Sequence, residues 1–382
     1  MMKPYGIRKG PVFDYLRIYD SIYGIKSYEG GMEMSDNEVI TENKDEEASA
    51  VTEAATSEEM TGSVPEAADP EAVKDVKADE VPGSSGFLKY LLHGVASTYL
   101  FAYLFMMFGS LFGSLMVQLP LHAMGLLTDD HPVIITAVTY LSFTGIWIVI
   151  LLYILIFKKE SPYLVKIIGR VTKTSTIMFI LGCIIFGGLN FICILAAKGN
   201  GDIFMYFSSF DVLPFILLFI SVMFQSGAEE LVCRGFLYRR VFNCYGKPAV
   251  AIIANSMFFT LLHVGNPGVT LLSLLNVLLC GVFFSLIIYY TDSMAFAIAG
   301  HTGWNFCQSI ICGLPNSGQV FPYSFFKLDA STARDSFFYN VGFGVEGTAF
   351  AVIVLAVSCI AVIVLGQMKI LKRPENIKPL IG

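Results

Sequence analysis

Charged residues are scarce in this chain. Asp, Glu, Lys and Arg make up 15% of its 382 residues, against 55% hydrophobic ones, and mean hydropathy is +0.65, which excludes a soluble globular protein. No CxxC pair is present. The eight cysteines (Cys183, Cys193, Cys233, Cys244, Cys280, Cys307, Cys312 and Cys359) fall on or beside apolar stretches, so a disulfide framework and a zinc ribbon are both excluded and the thiols read as packing residues. HExxH, the signature of a common helical zinc site, is also missing. The first 29 residues lack the apolar core of a cleaved signal peptide, and Met32 or Met34 is a candidate start.

What the chain has instead is apolar length. Stretches of about 20 residues, each able to cross a hydrocarbon core roughly 30 Å thick, fill nearly everything after Phe87. They predict an all-α, polytopic membrane domain over 86–370, with eight spans near 94–120, 133–157, 177–197, 212–233, 248–265, 269–291, 293–313 and 347–368. A short basic tail occupies 371–382. Ahead of the domain, 1–85 holds an acidic stretch: Glu29 to Glu80 carries 17 acids against three lysines, a net of −14 in a chain of net −6. With almost no aromatics it cannot offset its ordering entropy, and a disordered tail is expected. A partner for that tail is left unidentified.

Lysine and arginine accumulate on the cytoplasmic side of membrane proteins. Thirteen fall in one set of connections: Lys158, Lys159, Lys166, Arg170 and Lys173; Arg234, Arg239, Arg240 and Lys247; and Lys369, Lys372, Arg373 and Lys378. The alternate connections hold only Lys198, Lys327 and Arg334, and the first of them carries just Asp129 and Asp130. Both termini are therefore expected in the cytoplasm, in a multi-pass protein of the cell membrane. The longest exterior connection, Gly313 to Gly347, has interface-type aromatics and is assigned no chemistry.

Ionisable side chains within spans are expensive and mark functional sites. Here they are Glu229, Glu230 and Arg234 at the end of the fourth span, His263 at the end of the fifth and His301 in the seventh. Adjacent residues on a helix point about 100° apart, while residues four apart share a face. Glu230 therefore pairs with Arg234, and Glu229 is left on another face, where desolvation suits it to act as a general base. His263 shares a stripe with Phe259 and Asn255. His301 and Asn305, one turn apart, can aim donors at one point and form an oxyanion hole. These groups suffice for peptide hydrolysis without a serine or cysteine nucleophile. Asn190, Asn255 and Asn276 read as helix-linking residues.

The sequence Glu229-Glu230-Leu231-Val232-Cys233-Arg234 matches EExxxR, Phe259 to His263 matches FxxxH, and His301-Thr302-Gly303-Trp304-Asn305 matches HxxxN. Over about 212–314 the chain resembles the CPBP, or Abi, family of intramembrane proteases, which includes type II CAAX prenyl endopeptidases. The resemblance implies that Glu229 activates water, His263 positions it, His301 and Asn305 stabilise the oxyanion, and Glu230 and Arg234, with Phe259, organise the site. CAAX-type or bacteriocin processing near the cytoplasmic face is the implied activity, on a peptide or lipidated peptide in the bilayer, with no nucleic acid involved.

The bland reading of Glu230 and Arg234 is a structural ion pair, and that of Glu229 is a transporter's proton site. A non-catalytic immunity or scaffold protein is the other alternative. No cofactor is expected. The alternative of a metalloendopeptidase-like zinc site would use Glu229, His263 and His301.

Overall fold

The computed structural model describes residues 84–156 and 173–371, with side chains from 94 onward. The expected acidic tail, the Lys158–Arg170 connection and most of the basic C-terminal tail lie outside the described residues.

Among the described residues helix dominates. In chain order the elements are α1 (Ser84–Ala123), α2 (Pro132–Leu141), α3 (Thr144–Ile156), α4 (Lys173–Gly199), β1 (Met205–Phe207), α5 (Val212–Glu230), α6 (Arg239–Tyr245), α7 (Pro248–Leu262), α8 (Leu271–Thr291), α9 (Met294–Asn305), β2 (Phe326–Leu328) and α10 (Ala349–Gln367). Local chemistry sets many ends. Pro132 and Pro248 start α2 and α7 with a fixed helical φ. Thr270 and Ser273 form a reciprocal capping box on α8, and the Ser293 and Thr348 hydroxyls accept from Phe296 N and Ala351 N.

Among the described residues six helical stretches are long and apolar enough to cross a membrane: Gly94–Ala123, Pro132–Ile156, Lys173–Gly199, Val212–Tyr245, Leu271–Thr291 and Ala349–Gln367. Helices stand at all eight expected positions, and six of the eight reach spanning length and hydropathy. Helix α7 has 15 residues, which at about 1.5 Å each reach roughly 22 Å. Helix α9 has only 12 before its geometry changes.

The fourth span also differs from expectation. It runs on past 233 to Tyr245 as one helical stretch of 34 residues, so the acids sit mid-helix and not at a cytoplasmic end. Arg234 and Arg239 are buried within it, and Arg239 pairs with Asp292 at 3.1 Å. Two of the thirteen cations assigned to cytoplasmic connections are therefore interior ion-pair partners.

Small residues bring the helices close, as lipid-embedded packing requires. Gly109 and Gly113 of α1 lie against α3, where a side chain on Gly113 would meet the Ser142 carbonyl. Gly303 of α9 lies on the Cys183 carbonyl of α4 in the same way. The main core gathers Phe186, Leu231, Phe259, Phe283, Phe284 and Trp304. Large apolar side chains such as Leu213, Ile184 and Leu155 face outward, the surface a bilayer covers.

Contacts sort the helix ends onto two faces. On one, β1 pairs antiparallel with β2, Asp202 pairs with Arg334, Asn266 donates to the Ser317 carbonyl, and Tyr323 N donates to Thr136 of α2. On the other, Gly94 lies against Tyr245, Gly366 against Tyr290, and Arg239 meets Asp292.

Candidate active site

Glu229 and Glu230 close the regular part of α5. From Leu231 to Tyr238 the helix widens into π-type turns, and the same happens from Phe306 to Ile311, directly after Asn305. Both acidic and HxxxN motifs thus abut π-turns, a local distortion that recurs at functional sites.

Glu230 and Arg234 are fully buried and joined by a 2.8 Å bond from Nη1 to Oε1. The guanidinium lies over the Phe259 ring at 4.6 Å and near that of Phe284 at 5.4 Å, a desolvated cation–π arrangement. With the Asn255 amide oriented to satisfy its neighbours, its oxygen accepts from Arg234 Nε at 3.3 Å and its nitrogen donates to the Cys233 carbonyl.

His301 links the two acids. Its Nδ1 is 3.0 Å from Glu230 Oε1 and its Nε2 is 3.8 Å from Glu229 Oε2. A carboxylate paired with arginine only accepts, so Nδ1 carries the proton and Nε2 is left toward Glu229. The imidazole stacks on Phe284 with ring centroids 5.5 Å apart.

Glu229 has a different environment. Its Oε1 accepts from Gln225 Nε2 at 2.6 Å, and Gln225 Oε1 accepts in turn from Asn305 Nδ2 at 3.2 Å. Asn305 Oδ1 accepts from Asn316 Nδ2 at 3.1 Å. The neighbouring Ser317 has a left-handed backbone, φ +46°, and donates its N–H and hydroxyl to Glu346 Oε2 at 2.6 and 3.0 Å. The other oxygen of Glu346 accepts from Trp304 Nε1 at 2.7 Å. Burial pushes the Glu346 carboxyl above its ordinary range, against the downward pull of these donors.

The structure therefore brings Glu229, Glu230, Arg234, His301 and Asn305 into one hydrogen-bonded or ion-paired set. His263 stands apart from it. It caps α7, its Nδ1 lies 2.8 Å from the Phe259 carbonyl, and it approaches the rest through the Phe259 ring, 4.7 Å from its own centroid and 6.1 Å from that of His301. Among the described residues no three His, Cys, Asp or Glu side chains are grouped to hold a metal ion.

Sequence reasoning misses Gln225, Asn316 and Glu346. The first lies four residues before Glu229, within reach of the spacing rule that pairs Glu230 with Arg234. The other two sit in the Gly313–Gly347 connection, and no period in that segment signals them.

The fold and site together define a polytopic membrane protein with a buried carboxylate, imidazole and amide cluster contributed by α5 and α9. Residues 211–307 match the model of the family of type II CAAX prenyl endopeptidases termed Rce1-like. This segment, about a quarter of the chain, is similar to that family, and together with the apolar helices it supports a membrane protease. No curated protein and no solved structure matches the chain.

Proposed function

We propose that the chain is a membrane-embedded glutamic endopeptidase in which Glu229 is the general base. The observation that carries this is the unequal treatment of adjacent acids. Glu230 is committed to Arg234 and His301, while Glu229 keeps Oε2 beyond hydrogen-bond length of any partner in the site. A water beside His301 Nε2 and Glu229 Oε2 contacts both. Glu229 takes one proton as the oxygen attacks a peptide carbonyl and later hands it to the leaving amine. The Asn305 amide has two N–H groups, of which one is engaged by Gln225; the second serves the developing oxyanion, while His301 Nε2 accepts from the attacking water. His263 orients water or substrate from the end of α7.

The substrate is a peptide or lipidated peptide held against the bilayer, CAAX-type processing being what the family's name supplies. The test is cleavage of a quenched lipopeptide library by the full chain in detergent. Glu229→Gln is expected to lose activity by about 100-fold or more, and His263→Ala to fall as well. Activity surviving both changes overturns the mechanism. Loss on adding a chelator replaces it with a zinc enzyme, and Glu229-dependent proton uptake by liposomes replaces it with a transporter.

A further inference from the structure

We propose that Asn316 is a positioning residue of the site: its side-chain amide fixes the direction in which Asn305 presents its second N–H, and Glu346 holds the turn that carries it. The proposal rests on the endopeptidase reading, in which that N–H serves the oxyanion. Asn316 lies outside the three motifs and beyond the matched segment, 211–307.

An amide side chain offers donors on one side and an acceptor on the other, and it can reverse where its neighbours make no demand. At Asn305 two neighbours make one. Glu229 accepts from Gln225 Nε2, so Gln225 turns its oxygen toward Asn305 and takes an N–H from Nδ2 at 3.2 Å. From the other side Asn316 Nδ2 donates to Asn305 Oδ1 at 3.1 Å, a bond that the reversed amide could not accept. The two demands agree, and either one alone leaves half of the amide unconstrained. Donation into Oδ1 also polarises the amide and strengthens its N–H groups as donors.

The turn that carries Asn316 is pinned without its side chain. Asn316 and Gln319 exchange backbone bonds at 2.9 and 2.8 Å. The two residues between them, Ser317 and Gly318, have φ of +46° and +83°, the left-handed pair of a tight hairpin turn. A serine is uncommon in that region, and Glu346 accepts both its N–H and its hydroxyl. Gln308 Nε2 donates to the Pro315 carbonyl, Asn266 Nδ2 donates to the Ser317 carbonyl at 3.0 Å, and Gly318 lies on the Pro267 carbonyl where a side chain would clash. The other oxygen of Glu346 accepts from Trp304. Two adjacent links therefore join α9 to the turn: Trp304 through Glu346 to Ser317, and Asn305 directly to Asn316. With Pro315, Ser317 and Gly318 already fixed, the bond from Asn316 acts on Asn305 and not on the turn.

The test is steady-state kinetics of the full chain in detergent, on a quenched lipopeptide that the wild type cleaves and Glu229→Gln does not. Asn316→Asp keeps the shape of the side chain and replaces its donor by an acceptor. It is expected to lower kcat by about 10-fold or more and to change KM by less than about 3-fold, because an oxyanion contact acts in the transition state. In an Asn305→Ala chain the same change is expected to cost less than about 2-fold more, since the amide that it orients is gone. A residue that merely shaped the turn would cost as much in either background. If Asn316→Asp does not elute as wild type, Asn316→Ala, which removes the donor and adds no acceptor, is put through the same cycle, with a kcat loss of about 3-fold or more expected. A kcat within about 2-fold of wild type in a folded variant, a loss confined to KM, or equal losses with and without the Asn305 amide overturns the proposal and leaves Glu229-dependent cleavage standing. Misfolding of both variants makes Asn316 structural and overturns it too. A chain with no Glu229-dependent cleavage overturns the endopeptidase reading, and this proposal with it.

Discussion

At the scale of single residues, the two adjacent acids have different surroundings: Glu230 is held by Arg234 and His301, and Glu229 by Gln225. Removing Arg234 leaves the buried Glu230 carboxylate without its charge partner, a loss of about 3–5 kcal/mol for a broken interior pair. Arg234→Ala is therefore expected to lower the melting temperature in detergent sharply, whereas Glu229→Gln, whose side chain still reaches Gln225, should leave it nearly unchanged. Glu346→Gln presents an amide to the Ser317 N–H in place of an acceptor, and a cost of about 1–3 kcal/mol is expected from that mismatch. Two carboxyls outside the spans give opposite pH signatures. Burial raises the Asp202 carboxyl, but Ser336, Asn200 and Arg334 outweigh it and hold the group below its ordinary range. Its contribution is present above the usual carboxylate pKa and is lost as pH falls through the folded value. Glu346 is raised, so its contribution is full at low pH and declines as pH rises through the folded value. Melting curves against pH should show Asp202→Asn costing stability at neutral pH and little in strong acid.

At the scale of elements, period and hydropathy account for the part of the structure that is legible in the sequence. Apolar runs locate the helices, and i, i+4 spacing finds the Glu230–Arg234 contact. The π-turns at Leu231–Tyr238 and Phe306–Ile311 are not readable: Gly235 weakens a helix but FCQSII holds no breaker, and neither run carries a signal for a widened turn. The end of the fourth span is misplaced by charge for a related reason. Arginine marks a loop only when it is solvated, and Arg234 and Arg239 have counter-ions inside the bundle. The Gly313–Gly347 connection is opaque because Asn316 and Glu346 meet their partners through a non-periodic fold. Close helix crossings give a direct test: Gly113→Leu, which must displace the Ser142 backbone, is expected to cost about 1–3 kcal/mol or more and to broaden gel-filtration profiles. Leu213→Ala on the lipid surface should do neither.

At the scale of the whole molecule, the apolar helices make a frame whose interior carries a few expensive charges, each with an identified partner. Glu230 and Arg234 belong to one helical stretch, so that pair can close as soon as the helix forms. Arg239 is different. Its counter-ion Asp292 comes at the far end of α8, two helices later in the chain. Arg239 therefore stays without its counter-ion until α8 has been made. Closing of the face where Arg239 meets Asp292, by the helix that carries Glu229 and Glu230, thus depends on a residue outside the EExxxR, FxxxH and HxxxN motifs.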